Sequence, residues 1–500
     1  MGIYLLRSLA LFGIVRSSIH MKPSRRHGIF LLIISGLIMI DRCKEHKHTE
    51  LTSFLQSHRT PLSSNFSYSK WRSYSMPKFQ HLVTHHPAIA VRMIQFIFYE
   101  RPLCEISRRN VAVGLRAVLT AHLVHEQLET FEADVKLIED MISPLGTFSA
   151  TKTSLQFIRP NNEITNHGPL TPLYYPLLVA VPRHFIRIAS NLFLAHAQQY
   201  HRRTCPDTNL TFWSRTTDVT APTLVFFHGI GLGVIPYLLM LSKVLAVSGV
   251  KNVILVEFPG ISAHPCRQSE VPYPTAQEVN DSIRDHLKRA VAPNTPVIGV
   301  AHSFGTMVLS SLNNAYPNTF ARCAFLDPVS FFPGASSLWP SLFGPLNLRV
   351  FLRCISRMDP MAFVTHLAAG DVYTQHLVKQ VMYFSEYANK ELESDGTLVV
   401  LSAKDHLVDA RAVRDTVKEG TEVWWYENFI HGDAVLRDSF HVRFGGWVGE
   451  VCGELSSGRG AGRHGGIKIF KERGRATDDG EDSDIETFMM RRCKSLGNLP

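Results

Sequence analysis

Short apolar runs, each closed by turn residues, recur along the second half of the chain. Thr223–Phe227, Asn252–Phe258, Val297–Ala301, Arg322–Asp327, Thr397–Ser402 and Glu422–Tyr426 are rich in β-branched and aromatic residues and predict strands. Between them the period lengthens. Val279, Ile283, Leu287 and Val291 recur every four residues, predicting an amphipathic helix over 274–291, and a second helix is expected from Thr306 to about Ala315. Strands that stay apolar along their whole length and alternate with helices imply a mostly parallel sheet flanked by helices on both faces, hence an α/β fold.

Upstream, the pattern is helical. Val91, Ile94, Ile97 and Phe98, then Val111, Leu115, Leu119 and Leu123, then Leu137, Ile138 and Ile142, keep helix spacing within a helical N-terminal extension over 79–200. Its last apolar face, Leu177–Leu194, is broken by Pro182, Arg183, His184 and Arg187; it suits either a membrane surface or packing on the next domain. Residues 45–78 are polar, rich in serine and histidine, and read as a linker. Before Asp41 there is no acidic residue. Two apolar runs, Leu5–Val15 and Ile29–Ile40, are interleaved with Arg7, Arg16, Lys22, Arg25 and Arg26. Each run is shorter than the roughly twenty residues that span a bilayer. Residues 1–44 are therefore expected to act as a membrane anchor, with a mitochondrial leader as the alternative. Residues 451–500, glycine- and arginine-rich and then acidic, are expected to be disordered.

Composition changes little in this layout. With 500 residues, 45% of them apolar, the chain can bury a full core, and a net charge of +9 favours anionic surfaces. Membrane phospholipid is a simpler partner for that charge than nucleic acid. The eight cysteines show no metal-ligand spacing, and no metal or organic cofactor is called for.

Chemistry enters at Ala301-His302-Ser303-Phe304-Gly305, where an apolar run stops at a serine with small residues two positions to either side. The pattern is that of a nucleophile elbow, with Ser303 exposed at a strained strand-to-helix turn. Upstream, His228-Gly229-Ile230-Gly231-Leu232-Gly233 follows a strand and can present the Ile230 N–H beside that of Phe304 as an oxyanion hole. An acid is expected just past a late strand. Asp405 is the first choice, with Asp409 better placed as a helix cap; the two could exchange roles, and Asp327 is a third candidate. A base is expected in the loop after the final strand, where His431 stands. His441 is the fallback, and His302 and His406 are read as neighbours of the site.

These motifs, together with Ile261-Ser262-Ala263-His264-Pro265 and Leu326-Asp327-Pro328-Val329-Ser330-Phe331, resemble in order a group of fungal α/β-hydrolase domain proteins of undefined substrate. The resemblance covers roughly residues 170–445 and implies an α/β-hydrolase fold in a domain at 201–450. It also implies Ser303, Asp405 and His431 as a catalytic triad. The stretch 328–396 is longer than a crossover needs and reads as an inserted cap. Its apolar and aromatic residues suggest a lipophilic ester substrate, or ordinary packing of a cap subdomain. The expected activity is that of a serine esterase; the alternative is a catalytically silent, membrane-attached binding module on the same fold.

Overall fold

A computed structural model describes residues 68–150 apart from 86, 99–101 and 121–127, residues 185–331 apart from 186 and 263–273, and 371–377. It also describes 396–457 apart from 406 and 418–419, the strand at 468–472, and four residues within 49–53.

The first part is helical: α1 (Tyr68–His85), α2 (Pro87–Ile97), α3 (Arg108–Thr120) and α4 (Leu128–Ile142). Their apolar stripes meet in one cluster that holds Phe79, Ile94, Phe98, Val111, Leu115, Val135 and Ile138. A buried Arg116–Asp134 ion pair at 3.4 Å joins α3 to α4. Ala412 of the later domain belongs to the same cluster, so the helices pack on that domain.

The rest is one nine-stranded sheet. Its strands are β1 (His201–Thr204), β2 (Thr211–Thr216), β3 (Thr223–Phe227), β4 (Asn252–Glu257), β5 (Val297–His302), β6 (Arg322–Leu326), β7 (Leu398–Ser402), β8 (Glu422–Tyr426) and β9 (Lys468–Glu472). The spatial order is β1-β2-β4-β3-β5-β6-β7-β8-β9. Pairing is antiparallel from β1 through β2 to β4 and parallel from there on. β3, β4, β5 and β7 are buried at every position, as parallel strands covered on both faces must be. The covering helices are α5 (Leu238–Ser248), α6 (Ala276–Ala290), α7 (Phe304–Ala315), α8 (Val372–His376), α9 (Ala410–Thr416), α10 (Asp433–Leu436) and α11 (Asp438–Ser456). α6 begins at a full capping box, with Thr275 accepting from the Glu278 N–H and Glu278 answering at the Thr275 N–H.

Two boundaries differ from the sequence reading. The segment 45–78 is not all linker, because α1 begins at Tyr68; its polar composition hid the first turns of a helix whose buried stripe is Met76, Phe79, Leu82 and Val83. The segment 451–500 is not wholly disordered either. α11 runs on to Ser456, and 468–472 pairs with β8, whose edge offers free backbone groups to a short segment lying between glycine-rich and acidic stretches. The proposed anchor at 1–44 and most of the cap at 328–396 lie outside the described residues. No helix among the described residues is long and apolar enough to cross a membrane.

The tightest approach in the sheet is between β3 and α7. A Cβ on Gly305 would stand 2.3 Å from the Phe227 carbonyl oxygen, a backbone atom that cannot swing aside. Gly305→Ala is therefore expected to lower stability by about 3 kcal/mol or more, or to prevent folding, as read by denaturant unfolding. Gly453→Ala makes the contrasting case: it lies inside α11, nothing stands within 4 Å, and a gain of about 0.5–1 kcal/mol is expected.

Candidate active site

β5 ends at His302, and α7 begins at Phe304. Ser303, between them, holds φ 51° and ψ −121°, a backbone region that a non-glycine residue enters only under constraint. That constraint is visible. The Ser303 N–H donates to the Leu326 carbonyl at 3.0 Å, its carbonyl accepts from the Thr306 N–H at 3.0 Å, and α7 is pinned against β3 at Gly305. The serine hydroxyl is thereby turned out of the sheet at its C-terminal end.

The loops after β7 and β8 bring the next two side chains. Asp405 and His431 come together because the Lys404 N–H donates to the Phe429 carbonyl and the Ala403 N–H to the Tyr426 carbonyl, tying one loop to the other. His431 Nε2 lies 2.8 Å from Ser303 Oγ, and His431 Nδ1 lies 2.7 Å from Asp405 Oδ2. The other Asp405 oxygen accepts the N–H groups of Leu407 at 2.6 Å and Val408 at 3.0 Å, which fixes the carboxylate plane. Asp409 instead caps α9 by accepting from the Ala412 N–H at 3.1 Å.

Asp327 sits beside this chain of bonds without joining it. Fully buried at the end of β6, it accepts from the Ser402 N–H at 3.1 Å and the Gly432 N–H at 2.8 Å. It thus braces the ends of both loops. Burial, reinforced by the nearby Asp405 charge, pushes its carboxyl up to about 6, against the opposing pull of His431 and the two N–H donors. For His431, burial favours the neutral ring, but the charge and hydrogen bond of Asp405, with the charge of Asp327, outweigh it and raise the imidazole above 6.5.

His302 lies beside His431, the rings tilted and their centroids 5.4 Å apart. Tyr237 Oη accepts from the Gly229 N–H at 2.9 Å, and its own O–H is placed to donate to His302 Nδ1 at 2.8 Å. The His302 proton then sits on Nε2, which faces Asp327 at 3.9 Å. Burial, with His431 and His228 nearby, keeps this ring neutral by holding it well below 6.5. His441 is remote from this chemistry; its Nε2 bonds the Val435 carbonyl at 2.8 Å within the α10–α11 corner. His406 lies outside the described residues.

The glycine-rich loop after β3 closes on the serine. A Cβ on Gly229 would lie 3.0 Å from Ser303 Cβ, so the loop needs a residue without one to lie this close. His228 holds the next peptide. Its Nδ1–H donates to the Gly229 carbonyl at 2.7 Å, while its Nε2 accepts from the Phe258 N–H at 3.0 Å. Because the peptide is trans, a carbonyl turned to His228 sends the Ile230 N–H to the opposite side. Among the described residues, neither the Ile230 nor the Phe304 N–H has a protein acceptor.

Asp327, Asp405 and His431 also place ligand atoms within 4.8 Å of one another. Every one of the four carboxylate oxygens, however, already accepts an N–H, so a cation would have to share oxygens committed to the bonds that position the loops. The roles of Tyr237, His228 and Asp327 as braces were not readable in advance; a tyrosine eight residues beyond Gly229 in the same loop is the one signal that pointed to them.

Comparison with known proteins adds the family. Residues 224–436 match the profile of the alpha/beta hydrolase family. No curated protein matches the chain. Among solved structures, a bacterial membrane phospholipase A is 16% identical with a TM-score of 0.40, over 55% of this chain and 96% of its own. The peroxisomal alpha-beta-hydrolase Lpx1 from Saccharomyces cerevisiae is 13% identical with a TM-score of 0.38, over 60% and 97%. Naproxen esterase from Bacillus subtilis is 12% identical with a TM-score of 0.34, over 53% and 96%. These likenesses carry no information about substrate. The parallel sheet, the strained Ser303 elbow and the matched segment 224–436 together give this part of the chain an alpha/beta hydrolase fold.

Proposed function

We propose that this domain is a serine hydrolase that cleaves a carboxylic ester, with a lipophilic or lipid ester as the substrate class. The family match supports hydrolase activity in general. The observation that carries the finer reading is the unbroken hydrogen-bonded sequence Ser303 Oγ, His431 Nε2, His431 Nδ1, Asp405 Oδ2, with no gap longer than 2.8 Å. Apolar substrate parts would meet Ile230, Val329 and Phe331, partly buried side chains packed at the site end of the sheet.

In this mechanism His431 accepts the Ser303 proton at Nε2 as the hydroxyl oxygen attacks the ester carbon. Asp405 holds the Nδ1–H tautomer and stabilises the imidazolium. Charge building on the carbonyl oxygen is met by the Ile230 and Phe304 N–H groups, which have no acceptor among the described residues to give up. His431 then protonates the departing alcohol. Water, deprotonated by the same nitrogen, attacks the acyl-enzyme and releases the acid and Ser303.

Ser303 in the intact protein is expected to react with a fluorophosphonate probe, and Ser303→Ala to remove the labelling completely. Folded wild-type protein that takes up no label would leave the silent binding module as the reading. The pH profile gives a second test. The base is useful only when neutral, so kcat/KM on a soluble nitrophenyl ester should fall as pH drops through the raised His431 value, above 6.5. Asp405→Asn removes the main influences that raise it. The acid limb should then move to lower pH, with kcat reduced about 10⁴-fold.

A further inference from the structure

Residues 187–192 are helical and continue into a π-helical turn, Phe193–Ala197, just before β1. One face of this segment packs inward. Leu194 joins the core cluster with Trp213 and Val234, and Arg187 pairs with Glu257 Oε1 at 3.0 Å. The opposite face is bare. Phe185, Ile188, Leu192 and Phe193, at helical spacing, are 65%, 42%, 52% and 42% exposed. An isolated exposed leucine is ordinary, but four large apolar side chains aligned on one short segment are not.

The sequence around this segment carries charge of one sign. From Ile164 to Pro206 the chain contains no aspartate or glutamate, while Arg183, Arg187, Arg202 and Arg203 fall within it. Arg202 stands exposed on β1, the edge strand that directly follows the segment, with its guanidinium 5.7 Å from the ring of Trp213 on the side of the sheet where Leu194 packs; Arg203 faces the other side. An apolar stripe beside an exposed guanidinium, in a stretch of chain without acidic residues, matches the chemistry of an anionic lipid surface, where rings and aliphatic chains enter the acyl boundary and the arginine stays among phosphates. A soluble protein partner would have to supply acidic groups beside an apolar groove to match it as well.

The anchoring is placed to matter. Glu257, which holds Arg187, also accepts from Trp213 Nε1 at 3.2 Å. Its Oε1 lies so close to Gly233, in the loop that carries Ile230, that a Cβ there would be 2.7 Å away. The bare face is thus built onto the same strand end that supports the glycine-rich loop.

We propose that Phe185, Ile188, Leu192 and Phe193, with Arg202, form a docking surface for anionic phospholipid membrane that seats the catalytic domain at the interface. The surface does not depend on the esterase chemistry, and vesicle binding is read without turnover, so either can fail alone. The test is co-sedimentation of the full chain with vesicles of phosphatidylcholine, with and without phosphatidylserine. All variants keep residues 1–44, so any binding through that leader is common to them. The variant Phe185→Ser/Ile188→Ser/Leu192→Ser/Phe193→Ser should lose about tenfold or more of its partition onto phosphatidylserine vesicles. Arg202→Gln should lose about fivefold on those vesicles and little on neutral ones. Thermal melting checks that each variant is folded, and the single changes Phe185→Ser and Leu192→Ser, at the two most exposed of these positions, carry the same test if the fourfold variant is not. Unchanged partition in the apolar variants, or equal wild-type binding to neutral and anionic vesicles, overturns the proposal. So does a lipid-free dimer that the apolar substitutions abolish while vesicle binding persists, which would assign the face to a second copy of the chain.

Discussion

The contact between the Phe227 carbonyl and Gly305 governs the geometry of the catalytic domain. Only where a helix lies this close to its neighbouring strand can the residue before it be forced to a positive φ, and only that backbone turns the Ser303 hydroxyl out of the sheet. Everything else at the site is arranged around a point that this approach fixes. The loop at Gly229 meets Ser303 Cβ, and the loops after β7 and β8 deliver Asp405 and His431 to its oxygen. Burial of α7 from Phe304 to Leu312 resists relaxation of the strain, because the helix has apolar neighbours along its length and no room to withdraw.

A second constraint is electrostatic. Two carboxylates, Asp327 and Asp405, lie close to one imidazole in a region nearly closed to water. They divide the work by their partners. Asp405 faces the ring nitrogen, whereas Asp327 spends its oxygens on the backbone N–H groups of Ser402 and Gly432. A buried carboxylate with two N–H donors stays ordered, but its neighbour's charge makes ionisation harder. The arrangement holds the base loop and the acid loop at a common hinge point.

Strands that are buried on both faces announce themselves as unbroken apolar runs, which is why the order of strands and helices from Thr223 to Tyr426 was legible in the sequence. The elbow was legible for a related reason, since close packing allows only small residues at positions 301 and 305. Choosing among Asp327, Asp405 and Asp409 was not possible from pattern alone. All three follow strand ends or precede helices, and their roles separate only when the loops fold: cap for Asp409, backbone brace for Asp327, imidazole partner for Asp405. The helix at Tyr68 and the strand at 468–472 were hidden because composition averaged over a segment conceals a short stripe within it. Likewise, periodicity showed an apolar face near Leu194 but not that the segment keeps a second apolar face in solvent.

His228 gives the site a property that its position in the sequence would not suggest. Locked between the Gly229 carbonyl and the Phe258 N–H, and held by burial at a pKa of about 4, it stays neutral over the whole range in which His431 changes charge. The peptide that aims the Ile230 N–H therefore does not reorient as the medium is acidified. Anion recognition and proton transfer are uncoupled: a negatively charged mimic of the tetrahedral intermediate would find the same two donors in acid as at neutrality, and acidification would silence the base while leaving the receptor for the oxyanion intact.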